Sequence, residues 1–132
     1  MFSALTKKWT DVFSLLNSEE RLSVLLVLFG SKFIRHQHFG MDDDTVNGCL
    51  SFTQIRNAAE ITSDTRLSYH LSKLLDARLI EKIAYIDKKE RVFPMYKTTE
   101  KWDSFARDFG FDAKIRNYIQ ERYPELFVSN EK

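Results

Sequence analysis

The side chains best suited to chemistry lie between Ile61 and Leu79. At 100° per residue, Leu67, Leu71, Leu74 and Leu75 share one face of a helix. The opposite face carries Thr65, Arg66, Tyr69, Ser72, Lys73 and Asp76, with Ser63 and Ser68 beside them. Hydroxyls, a guanidinium, an ammonium and a phenol can bond phosphate oxygens and base edges. They can equally face water, although the Glu/Lys pairs that usually solvate a surface helix are scarce here.

A second cluster, His36, His38, Asp42, Asp43 and Asp44, offers imidazole and carboxylate ligands for a divalent ion. Its spacing matches no ligand pattern, so it is read as an acidic loop over 35–49, and no metal is expected. The single cysteine, Cys49, excludes an internal disulfide and a four-thiolate zinc site, and suits a reducing compartment. With no glycine-rich phosphate loop and no Cys/His nucleophile pattern, neither an enzyme nor a cofactor is expected.

The 132 residues are 43% apolar and 14% aromatic, enough for one well-packed domain spanning 1–132. Eleven phenylalanines exceed what one small core easily hides and hint at a subunit interface. The net charge of +1 gives no global argument for nucleic acid, so any basic surface must come from local segregation. The first residues lack the cationic and apolar regions of a secretory signal. The longest apolar run, Val24–Phe29, is too short to span a bilayer. A cytoplasmic protein with no membrane partner is expected.

The elements that must position the 61–79 face follow from pattern. Phe2, Leu5, Trp9, Val12, Phe13 and Leu16 form a stripe on a helix over 2–16, packed on its own domain or on a second copy. Asn17 or Ser18 caps a nearly all-apolar helix ending at Gly30, a plausible terminator. Ser51 and Gln54 have capping-box spacing at the start of a short helix over 51–59. Together with the helix over 63–77 this makes a helix-turn-helix pattern. Residues 79–86 and 91–97 read as strands joined by a polar turn, with Pro94 confining the second to a sheet edge or breaking it locally. Two helices then close the chain over 102–132. One carries Trp102, Phe105 and Phe109, and the other, over 112–127, carries Ile115, Tyr118, Ile119 and Tyr123. The fold class is therefore mainly α with a small β-hairpin wing, a winged helix-turn-helix over 17–101 with N- and C-terminal helical extensions.

From about Asn17 to Lys101, apart from the 35–49 loop, the chain resembles the ArsR-like winged-helix transcription regulators, on Glu20-Arg21-Leu22, Leu50-Ser51-Phe52-Thr53-Gln54-Ile55 and Ser68-Tyr69-His70-Leu71-Ser72-Lys73-Leu74-Leu75-Asp76-Ala77-Arg78-Leu79-Ile80-Glu81. The resemblance implies a homodimer that binds double-stranded DNA and regulates transcription, probing the major groove with helix 63–77 and using hairpin 79–97 as a wing. Two departures stand out. Ser51 and Thr53 occupy the Cys-x-Cys positions of metal-sensing members, and neutral hydroxyls do not replace thiolates. Arg78 replaces the glycine common after the recognition helix, at a cost of roughly 1 kcal/mol if the backbone is left-handed there.

On that reading Ser63, Thr65, Ser68, Ser72 and Lys73 face phosphates or bases. Arg66 suits a bidentate contact to guanine, and Tyr69 a thymine methyl or a phosphate. His70, at the flank, suits a hydrogen bond within the domain as well as a DNA contact. From Arg78 to Lys101, seven bases stand against four acids, and Lys88, Lys89 and Arg91 sit where a wing meets the backbone. The expected dimer interface combines Phe2, Leu5, Trp9, Val12 and Phe13 with Ile115, Tyr118, Ile119 and Tyr123. The alternative is a winged-helix module that binds protein in a larger assembly, which near-zero net charge and surplus aromatics favour. Whether a small effector binds is left open.

Overall fold

The computed structural model describes residues 2–39 and 48–128, without the side chains of Leu5, His36 and Gln37. Among the described residues the chain forms six α-helices and one two-stranded antiparallel sheet. The first two helices are α1 (Ser3–Leu15) and α2 (Glu19–Gly30). Two 3-10 turns, Ser31–Phe33 and His36–Phe39, lead to α3 (Phe52–Ala59) and α4 (Asp64–Asp76). Then come β1 (Ile80–Ile86), β2 (Val92–Thr98), α5 (Glu100–Asp108) and α6 (Phe111–Arg122). The order is that of a winged helix with helical extensions at both ends.

The centre is α2. Ser18 caps it by accepting from the backbone N–H of Arg21 at 3.2 Å. Val24, Leu25 and Leu28 are completely buried, as an apolar helix demands when α3, α4, β2 and α6 all pack on it. Gly30 does not stop α2 in a left-handed turn. It keeps right-handed backbone (φ −65°, ψ −27°), and the chain tightens into the 3-10 turn Ser31–Phe33. α2 thus ends at Gly30 as expected from sequence, by this tightening rather than by a left-handed cap.

At α3 both halves of the capping box are present. Ser51 Oγ accepts from Gln54 N–H (3.2 Å), and Gln54 Oε1 accepts from Ser51 N–H (2.8 Å). Both motif helices end alike. Glu60 after α3 and Arg78 after α4 take φ of 56° and 60°. The bonds Glu60 N–H to Asn57 O, Ile61 N–H to Arg56 O, Arg78 N–H to Leu75 O and Leu79 N–H to Leu74 O complete two Schellman turns. Arg78 therefore sits where glycine is preferred, and its carbonyl is pinned by Thr99 Oγ1 at 2.5 Å. Arg78→Gly should raise the unfolding free energy by about 1 kcal/mol. The check is a higher urea midpoint at unchanged slope. A lower midpoint would mean that the arginine side chain outweighs the strain.

In the hairpin, Ile80 pairs with Thr98, Lys82 with Tyr96, Ala84 with Pro94 and Ile86 with Val92. Leu50 forms a bridge on the far side of β2, exchanging both backbone bonds with Tyr96 (2.9 and 2.8 Å). The N–H of Tyr96 thus points away from β1. Pro94, two residues earlier, has its ring nitrogen on that same outer side, so the β1–β2 ladder loses no hydrogen bond.

The stripe on α1 is spent largely within the chain. Trp9 and Val12 are buried, and the Trp9 ring meets Phe105 edge-on at 5.3 Å while its Nε1–H donates to Asp108 at 2.8 Å. Ile119 of α6 is also buried. Trp9, Val12 and Ile119 belong to the domain's own core, which corrects their assignment to a dimer interface. Phe2, Phe13, Tyr118 and Tyr123 remain exposed, and Ile115 is half-buried. Of the expected 35–49 loop, His38 is exposed, and Asp42, Asp43 and Asp44 lie outside the described residues.

Candidate nucleic-acid interface

Three apolar contacts set the orientation of α4. Leu67, Leu71 and Leu74 are buried, and the helix packs on α2 and β1. Ser63 caps its start, accepting from Arg66 N–H at 3.2 Å, and Arg56 Nη1 bonds Asp64 Oδ1 at 3.0 Å, tying α3 to the first turn of α4. What this leaves outward is the face expected from the sequence: Thr65, Arg66, Ser68, Tyr69, Ser72 and Lys73 are all exposed. The Tyr69 ring lies between two cations, Lys73 Nζ at 5.5 Å and Arg21 Cζ at 5.9 Å from its centroid.

His70 is not part of that face. It is only 7% exposed, and its Nε2 lies 3.3 Å from Glu20 Oε1. The hydrogen bond within the domain is the role it takes. Burial against α2 removes it from the residues that could touch a ligand outside. Its Nδ1 has no hydrogen-bond partner among the described residues.

The same carboxylate reaches Arg66, whose Nη2 lies 3.1 Å from Glu20 Oε2. Positions 66 and 70 are one helical turn apart, so one acid in the first turn of α2 grips two side chains of α4. The bond to His70, then the guanidinium of Arg66, hold the Glu20 carboxyl below the usual glutamate range. Sequence reasoning missed Glu20. An acid in the first turn of a helix already has a role there, and no spacing pattern links Glu20 to residues so far along the chain.

On the wing, Asp87 organises the turn. Its Oδ1 accepts from the backbone N–H of Lys89 (2.9 Å) and Arg91 (2.8 Å), and its Oδ2 from Arg91 Nε (3.0 Å). These bonds, led by the Arg91 backbone N–H, hold the Asp87 carboxyl below its ordinary value. Arg91 is thereby committed, with its Cζ also 5.5 Å from the Phe93 centroid. Lys97 pairs with Glu81 at 3.1 Å and Lys101 with Asp11 at 2.5 Å. The local basic excess thus narrows to Arg78, Lys82, Lys88 and Lys89, which no acid pairs among the described residues. Lys88 and Lys89 are exposed at the tip.

Two other places offer less. A cleft of about 510 Å³ beside β2 is lined by charges that neutralise one another, Lys32 with Asp103 (2.6 Å) and Lys97 with Glu81 (3.1 Å). Cys49 is buried, and burial pushes its thiol above the ordinary range, the reverse of what a metal-binding thiolate requires.

Residues 9–100, which contain α2 to β2 and the acid–arginine–histidine contact, match a family described as a domain of unknown function, DUF7347. The chain belongs to DUF7347. The match ends at the first residue of α5, so the DUF7347 region holds the whole helix-turn-helix and wing. No curated protein matches the chain. Among solved structures, one described as "The crystal structure of transcriptional regulator PA4135" is similar at 21% identity, over 94% of this chain and 81% of that one, with a TM-score of 0.48.

Proposed function

We propose that this DUF7347 protein is an ArsR-like regulator of transcription that binds duplex DNA as a homodimer, with α4 in the major groove and the β1–β2 hairpin as wing. The observation that carries the reading is the outward face of α4. Six side chains able to bond phosphates or bases are exposed together on a helix whose other face is fully anchored. Lys88 and Lys89, exposed at the wing tip with no acid partner among the described residues, add the charge that backbone contact needs. Exposed Phe2, Phe13, Tyr118 and Tyr123 supply the apolar surface for a second copy. The cytoplasmic setting expected from the single cysteine goes with this role.

A salt titration of duplex binding tests it. Each phosphate neutralised by a cation releases counterions, so log affinity falls linearly with log salt. Contacts by Lys73, Lys88 and Lys89 give a slope of about −3 per copy bound. Absence of binding to any duplex at low salt, with the protein folded, would reject the reading and favour a module that docks on protein.

A further inference from the structure

The two faces of the hairpin differ in cover. On one, Met95 is buried and Ile83 and Tyr85 pack with it around Cys49. On the other, the base is closed by buried Ile80, Tyr96 and Thr98, but the outer half is open. There the register sets Ala84 beside Pro94 and Ile86 beside Val92, and all four are exposed, Ile86 and Val92 at 63% each. A solvent-facing strand position ordinarily takes a polar residue. Four apolar neighbours at the end of a hairpin contribute only their cross-strand contacts to folding, because nothing else in the domain covers them among the described residues. The turn beyond them is stiffened by the three Asp87 bonds and projects Lys88 and Lys89 with no partner among the described residues.

We propose that this outer face, Ala84, Ile86, Val92 and Pro94, is an apolar wedge that enters the minor groove and bends DNA, with Lys88 and Lys89 on the flanking phosphates. The inference rests on the DNA-binding reading above. Charge complementarity selects the occupant. Lys82 on the same face and Lys88 and Lys89 at the tip set three ammonium groups against the one exposed carboxylate of Glu90, and a groove lined by phosphates meets both needs at once. A second copy seated here face to face would bring like charges together. A bilayer would want a larger apolar surface, whereas the outward face of α4 offers hydroxyls and charges. Apolar side chains pressed between base steps partly unstack them and kink the duplex, which then reaches more protein surface.

The test uses the full chain and a mixed-sequence duplex of about 30 base pairs, labelled at its ends for energy transfer. Binding is followed separately by anisotropy. Wild-type protein should raise the end-to-end transfer. The Ile86→Ser/Val92→Ser double variant should bind more weakly and lose most of that rise at saturation. Ile86→Thr/Val92→Thr, which keeps β propensity, should behave the same, and Ile86→Val/Val92→Ile should retain the bend. Binding without a change in transfer, or equal bending by the serine variant, overturns the wedge and leaves the DNA reading intact. No binding at low salt removes both. If the serine pair instead abolishes dimerisation or flotation with phosphatidylserine vesicles while bending is unchanged, the face belongs to that other occupant and the wedge is rejected.

Discussion

Trp102→Ala is expected to lower the unfolding free energy by about 3–5 kcal/mol. Trp102 is completely buried, and its ring sits 5.2 Å from Phe105, 6.1 Å from Phe29 and 6.3 Å from Phe111, centroid to centroid. It therefore ties α5 to α2 and to the start of α6, and truncation leaves a cavity that three aromatic rings cannot close. A domain of this size has roughly 5–15 kcal/mol in all, so the variant is largely unfolded well before the wild type in urea. Trp102→Phe separates packing from polarity. The indole Nε1–H has no hydrogen-bond partner among the described residues, and such a buried donor costs about 1–3 kcal/mol. Phenylalanine removes that donor while keeping most of the ring contacts, so its loss should be far smaller than that of alanine. Circular dichroism is the suitable readout, because Trp9 and Trp102 both contribute to fluorescence. Equal losses for Phe and Ala would show that the indole's full width, rather than aromatic contact in general, holds α5 in place.

The core that Trp102 anchors shows which parts of the fold could be read directly from the residues. A periodic stripe states that a face is buried, and Leu67, Leu71 and Leu74 behave accordingly. Local chemistry is equally legible: the capping-box spacing of Ser51 and Gln54 places the start of α3 within a residue. A stripe does not name what covers it. Trp9 and Val12 looked as suited to a second copy as to α5, and only the assembled domain gives them to Phe105 and its neighbours. Gly30 marks where α2 ends but not how. Glycine permits a left-handed turn without requiring one, and here the backbone stays right-handed into the 3-10 turn.

The candidate site divides along the same line. Its outward residues follow from helix geometry alone. Its electrostatics do not, because the acid that governs them arrives from α2. On sequence, Arg66 looked free to meet guanine and His70 undecided; in the fold both are held by Glu20. The wing behaves likewise, since Arg91 is drawn into the turn by Asp87, which leaves Lys88 and Lys89 at the tip with no acid partner among the described residues.

On the proposed DNA reading, Arg66→Ala should weaken binding to the preferred site by about 1–3 kcal/mol and flatten the preference between bases at the position it contacts. The expected direction is complicated by Glu20. In the free protein Arg66 already has a carboxylate 3.1 Å away, so DNA must exchange one partner for another, and the net gain is less than the guanine contact alone. Glu20→Gln weakens the competing partner and removes a negative charge near the DNA face, so it should tighten binding when Arg66 is present. In the Arg66→Ala background the part of that gain due to release of the guanidinium vanishes, and only the loss of repulsion remains. A double-mutant cycle measures the difference. Lys89→Ala supplies the contrast. Its ammonium has no acid partner among the described residues and on this reading meets only phosphate, so the substitution should weaken all sequences alike and reduce the salt slope by about 1. If Arg66→Ala lowers affinity for preferred and unrelated duplexes equally, Arg66 is a phosphate contact. Base selection would then fall to Thr65, Ser68, Tyr69 and Ser72, the exposed uncharged polar side chains on that face.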